Sequence, residues 1–102
     1  MSKSNSLDVG SGQKTVTTAG TREPLASGIN PVLSVTIKAL RGNAGKAYVG
    51  DHTVSSSVGF VLDAGESLDL ATDDPKKPID LTQIYLDVGT SGEGVSYIYL
   101  RE

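Results

Sequence analysis

The chain has no cysteine and no tryptophan, and only one phenylalanine, one methionine and one histidine in 102 residues. Without cysteine there is neither a disulfide nor a thiolate metal site. No apolar run approaches the roughly 18 residues of a helical membrane span. The first residues carry a lysine but no apolar h-region, so no signal peptide is expected, and synthesis in the cytoplasm is. Basic charge is also short. Nine Lys and Arg face twelve Asp and Glu, for a net charge of -3. That balance argues against a nucleic-acid-binding surface, which needs a basic patch. The one adjacent basic pair, Lys76 and Lys77, sits between Pro75 and Pro78 and reads as a solvated turn.

The scarcity of large rings, with 37% hydrophobic residues overall, leaves a core built from Val, Ile, Leu and Ala. A domain of this size buries roughly 64% of its unfolded surface, enough for one modest core. Small cores are commonly helped by disulfides, metals or oligomerisation. With disulfides excluded, a homo-oligomer, or docking on a larger body, is the expectation.

What is present is alternation. From Val32 to Leu40 apolar and polar residues follow each other with period two, the pattern of a strand with one face on a core. Leu33, Val35, Ile37 and Ala39 fall on one side, and Ser34, Thr36 and Lys38 on the other. Further strands are expected at 14–18, 46–49, 59–62, 67–70, 83–87 and 95–100, with 21–26 limited to an edge by Pro24. Turns at 41–45, 63–66 and 89–94 carry the glycines that such connections favour, Gly65 and Gly92 among them. A single helical turn is possible near Leu81. Seven or eight short strands at this spacing predict an all-β fold, a small antiparallel β-sandwich of jelly-roll type. Residues 1–13, rich in Ser, Gly and Asn with Leu7 and Val9 as the only interior apolar residues, read as an extended N-terminal arm, and 14–102 as the single sandwich domain.

Chemistry-bearing residues are few. His52 lies beside Asp51 and near Ser55, Ser56 and Ser57, but neighbours in a loop do not by themselves make a triad with an oxyanion hole. Its expected state is a solvated loop histidine, and no catalytic residue is assigned. Asp69, Asp73, Asp74 and Asp80 offer oxygens, yet no D-x-D-x-D-G loop is present, so the expected role is a charged turn rather than a metal site. Gly42, Gly45 and Gly50 precede no helix and make no phosphate loop. No cofactor is expected. Tyr48, Tyr85, Tyr97 and Tyr99 stand opposite aliphatic residues on their strands, so one face could carry a tyrosine stripe. For Tyr97 and Tyr99, which share a face with Val95, a place in the core is an equal alternative, while Tyr85 is expected to be partly exposed. Tyrosine suits both protein interfaces and sugar platforms, because the ring packs while the hydroxyl stays wet.

The order V-T-I-K-A, a Gly/Asn turn, A-Y-V-G, then S-S-S-V-G-F-V-L-D-A-G-E-S-L-D-L and finally I-Y-L-D-V-G-T-S-G-E-G-V-S-Y-I-Y-L resembles small β-sandwich virion proteins of tailed bacteriophages. Some of these are capsid decoration or cement proteins. The resemblance covers about residues 14–100 and rests on turns and strands. It implies a non-enzymatic, structural protein of the virion, on the capsid surface, with the major capsid protein or other virion proteins as partners. It transfers no active-site residue. A tail, baseplate or head–tail connector component fits the same pattern, and a carbohydrate-binding module is the rival class. The residues expected to meet a partner are Leu7 and Val9 in the arm and Tyr48 and Tyr85 on the sheet, with no nucleic acid and no membrane involved.

Overall fold

A computed structural model describes residues 8–27 and 31–101. Ten strands and one 3₁₀ turn make the described part all-β, and every strand pairing is antiparallel. The strands are β1 (Asp8–Thr15), β2 (Glu23–Pro24), β3 (Pro31–Val32), β4 (Ser34–Ala39), β5 (Ala47–Gly50), β6 (Phe60–Leu62), β7 (Ser67–Ala71), β8 (Ile79–Asp80), β9 (Tyr85–Val88) and β10 (Gly94–Arg101). The first sheet has the order β1-β10-β4-β7 and the second β2-β9-β5-β6. A two-stranded ribbon joins β3 to β8.

The pairing is nested. The first strand lies against the tenth, the second against the ninth, the third against the eighth, the fourth against the seventh and the fifth against the sixth. The chain is thus one long antiparallel ribbon doubled back at the β5–β6 connection. Two further ladders, β10 with β4 and β5 with β9, gather this ribbon into the two sheets.

The alternation that predicts β4 is realised in its burial: Val35, Ile37 and Ala39 are buried and Ser34, Thr36 and Lys38 are not. Ala47 and Val49 of β5, Leu86 and Val88 of β9 and Val95 of β10 complete the facing layers, so one core lies between the two sheets. Leu33 departs from its expected side. A bend separates β3 from β4 there, so Val32 is buried and Leu33 is only half-buried. Leu68 and Leu70 follow the inward register of β7 opposite Ile37 and Val35. They sit on an edge strand, however, and Leu70 remains exposed.

The boundary expected at residue 13 is not an element boundary. β1 starts by Asp8 and runs in unbroken register along β10 to Thr15, so residues 8–13 belong to the first sheet. Glycine-rich sequence disfavours a strand on its own. Here the partner supplies the packing, because Tyr99 and Tyr97 lay their rings over Gly10 and Gly12. Leu7, with the rest of residues 1–7, lies outside the described residues, as do 28–30 of the expected loop.

The helical turn near Leu81 exists as a 3₁₀ turn over Leu81–Gln83. The Asp80 carboxylate caps it by accepting from the Thr82 amide at 3.0 Å. Gly65 and Gly92, at φ of 82° and 88°, occupy the left-handed turn positions that glycine fills without strain.

Candidate interaction surface

β10 carries apolar or aromatic residues on both faces, and its pairing decides which face is which. Val95, Tyr97 and Tyr99 stand opposite Ala39, Ile37 and Val35 of β4, so they point into the sandwich. Ser96, Ile98 and Leu100 therefore point out. Val9 stands opposite Leu100, and Ser11 opposite Ile98. The outer face of the first sheet thus gathers Val9, Ile98 and Leu100, exposed at 65%, 50% and 37%. Directly opposed side chains of this kind lie about 5 Å apart and act as one surface. The neighbours on this face are Ser11, Gln13, Ser96, Ser34 and Thr36, all uncharged. Its described charges include Lys38 and Asp69, and Asp69 accepts a 2.7 Å bond from the Thr36 hydroxyl. Exposed apolar residues gathered within a polar rim are the kind of surface that interaction sites use.

The four tyrosines do not form one stripe. Tyr97 and Tyr99 are half-buried on the inner face of the first sheet, with ring centroids 6.2 Å apart, and Arg101 lies 5.9 Å from the Tyr99 ring. Tyr48 and Tyr85 are half-buried on the outer face of the second sheet, where Tyr48 opposes Asp87 and Tyr85 opposes Gly50. Glycine on β1 explains the division. Gly10 and Gly12 open the space that the rings of Tyr99 and Tyr97 fill, so the aromatic side of β10 turns inward.

Beside Tyr85 is a recess of about 440 Å³ lined with Gly20, Thr21, Arg22 and His52. The wall that includes Gly20 is held by Asp87, a buried carboxylate that accepts from the Gly20 amide at 2.9 Å and from the Val88 amide at 2.8 Å. A larger groove, about 630 Å³, opens between the edge strands β6 and β7. Val49, Phe60, Leu68, Leu70 and Ile84 line it, with Asp51 and Asp69 among its polar residues.

His52 is exposed, and its neighbours are engaged elsewhere. The Asp51 carboxylate accepts from the Thr53 hydroxyl and amide, which hold it below the usual carboxylate range. The Ser55 hydroxyl accepts from the Ser57 amide at 3.2 Å. Asp74 accepts from the Lys76 amide at 2.9 Å and so closes its own turn. Among the described residues no group of three or more His, Cys, Asp or Glu is placed to hold a metal ion.

Two polar ties have no sequence motif to announce them. Asn43, buried in the β4–β5 connection, donates to the Gly94 carbonyl at 2.9 Å, and Glu93 accepts from the amides of Ala44 and Gly45. Lys14 on β1 donates to Glu23 on β2 at 2.9 Å, a tie between the two sheets. This Lys14 bond, with a second from the Thr17 amide, draws the Glu23 pKa below its ordinary value. A depressed folded-state pKa stabilises the fold above the unfolded value, about 4.3 for Glu, and that contribution disappears as pH falls through the lower folded value. The urea midpoint is therefore expected to fall across this acid window, and Glu23→Gln to flatten the fall. An unchanged slope in the variant would assign the effect to other carboxylates.

Compared with protein families, with curated proteins and with solved structures, the chain finds no match.

Proposed function

We propose that this is a structural protein of a tailed-bacteriophage virion, a capsid decoration or cement protein that bridges and stabilises major capsid subunits at the capsid surface. The observation that carries the reading is the outer face of the first sheet, where Val9, Ile98 and Leu100 form an exposed patch free of charge at its centre. The partner class comes from the resemblance in sequence to small virion proteins.

The fold belonging to this reading is the jelly roll. Its support is the nested pairing: a doubled ribbon gathered into sheets of order β1-β10-β4-β7 and β2-β9-β5-β6 is what a rolled antiparallel hairpin produces. Jelly rolls serve as viral capsid and lectin domains. The mechanism is additive. Each copy contributes a modest apolar contact with the shell, and many copies linked through one shell hold it by multivalency.

The test is co-sedimentation with shells that lack the protein. Saturable binding is expected, and Ile98→Lys is expected to weaken it about tenfold, as for a central interface residue, with circular dichroism unchanged. Equal binding by the variant would remove this face from the interface. Association with isolated tails or connectors instead of shells would move the protein to a tail, baseplate or connector position.

A second reading has one observation in its favour. The Tyr85 ring, Arg22 and His52 border a recess of the size that takes a sugar. A carbohydrate-binding module would bind a glycan as an isolated protein and lose it in Tyr85→Ala while keeping it in Ile98→Lys.

A further inference from the structure

Among the described residues, β1 is an edge strand of the first sheet, with no partner on its outer side. Eight consecutive residues pair with β10 without a slip, and no proline interrupts them. Such a straight edge presents a row of outward backbone N–H and C=O groups, which proteins ordinarily protect with proline, bulges or inward-pointing charge. The strand does carry Lys14, whose ammonium bonds Glu23 while its side chain stays 30% exposed, so it can meet a second carboxylate as well.

We propose that β1 pairs with β1 of a second copy of this chain, antiparallel and two-fold symmetric about Ser11. Two four-stranded sheets then become one continuous sheet across the dimer. This proposal is independent of the shell-binding reading.

Three features select this partner and this register. The first is charge. Centring the axis on Ser11 sets Asp8 of each copy directly opposite Lys14 of the other, on the same face, and a slip by one residue in either direction destroys both pairs. Opposite charges facing each other across strands stabilise a pairing, and like charges oppose it. The second is space. The same register sets Gly10 against Gly12 of the other copy, so no side chain from β1 stands at the centre of the inner face. The rings of Tyr99 and Tyr97 already lie directly over these glycines, and they would roof the seam from both copies. The third is the outer face. Val9 comes to lie opposite Gln13 of the second copy, so the two Val9–Ile98–Leu100 patches join one surface. An isologous contact of this kind closes as a dimer and does not propagate.

The register makes a geometric prediction that a native chain without cysteine allows to be read cleanly. Ser11 and Gln13 are both exposed, so cysteine is tolerated at either. At the two-fold axis the Cβ atoms of residue 11 lie about 5 Å apart, which a small relaxation brings within disulfide range. The two copies of residue 13 lie four residues out of register, about 13 Å apart.

The experiment uses the intact protein. Sedimentation equilibrium is expected to give a dimer. Under mild oxidation Ser11→Cys is expected to cross-link at least about tenfold faster than Gln13→Cys, in keeping with that separation. Asp8→Lys is expected to raise the dimer dissociation constant about fivefold or more at low salt, with the difference shrinking as salt rises. A monomer at every concentration, or Gln13→Cys cross-linking as fast as Ser11→Cys, overturns the proposal. So does a dimer that Asp8→Lys leaves unchanged at low salt. Failure to bind shells by a protein that passes these tests counts against the shell reading alone.

Discussion

Gly94→Ala is expected to cost about 3 kcal/mol of folding stability, at the upper end of the range for overpacking. Gly94 is buried where β10 begins, opposite Thr15 of β1. A Cβ there meets the Lys14 carbonyl oxygen and the Thr15 Cα at 2.7 Å, both main-chain atoms. A main-chain atom in a ladder moves only if the ladder moves. Retreat on the other side is blocked as well, because the Gly94 carbonyl accepts from the Leu40 amide at 3.1 Å and from Asn43 at 2.9 Å. The strain must then fall on the β1–β10 pairing. Gly42→Ala is the matched control, since nothing lies within 4 Å of its Cβ, and a change within about 0.5 kcal/mol is expected. Urea denaturation of the two variants checks the pair. Similar midpoints would mean that β1 shifts to accommodate the methyl group at little cost.

Leu86→Ala is expected to cost about 3–4 kcal/mol, from the lost transfer energy plus the cavity left behind. Leu86 is fully buried in β9, between Glu23 of β2 and Val49 of β5. Strands hold it on both sides and the first sheet closes above it, so collapse around the missing atoms is restricted. A domain of this length has about 5–15 kcal/mol in total, so the variant gives up a large share of its stability. Leu70→Ala is the contrast. It too occupies an inward register position, yet it borders the open groove at the β7 edge and is expected to lose about 1 kcal/mol or less, close to an ordinary surface change. Equal losses at the two positions would mean that the groove is closed in solution.

The same contrast between register and burial shows where sequence reasoning succeeds. In β4 the residues that alternate in polarity also alternate in burial, because strands flank it on both sides and a sheet covers one face. The strand at 46–49 was legible for the same reason, and those at 59–62 and 67–70 were placed to within a residue by their bounding turns although both are edge strands. β10 was found as a strand, but its faces were not, since V-S-Y-I-Y-L is apolar or aromatic on both. What settles them is the glycine pair on β1, more than eighty positions away in sequence from the tyrosines it receives. A matched spacing was the available signal: Gly10-x-Gly12 and Tyr97-x-Tyr99 share the period that lets small residues receive large ones. The two-residue strands β2, β3 and β8 lie below the length at which a period can be read. Of the candidate site, Val9 was legible as an apolar residue in a polar segment. Its companions Ile98 and Leu100 were not, because they join it only through pairing.

The nested pairing also imposes an order in time. β10 lies between β1 and β4, and neither has a ladder to the other without it. During synthesis β1 must wait for β10, while β5 and β6 meet across a short connection as soon as both exist. Closing distant pairs is the slow part of folding such topologies. The pairing of β4 with β7 can therefore precede β10, but the first sheet is completed, and β1 is taken into it, only after translation has reached residue 101.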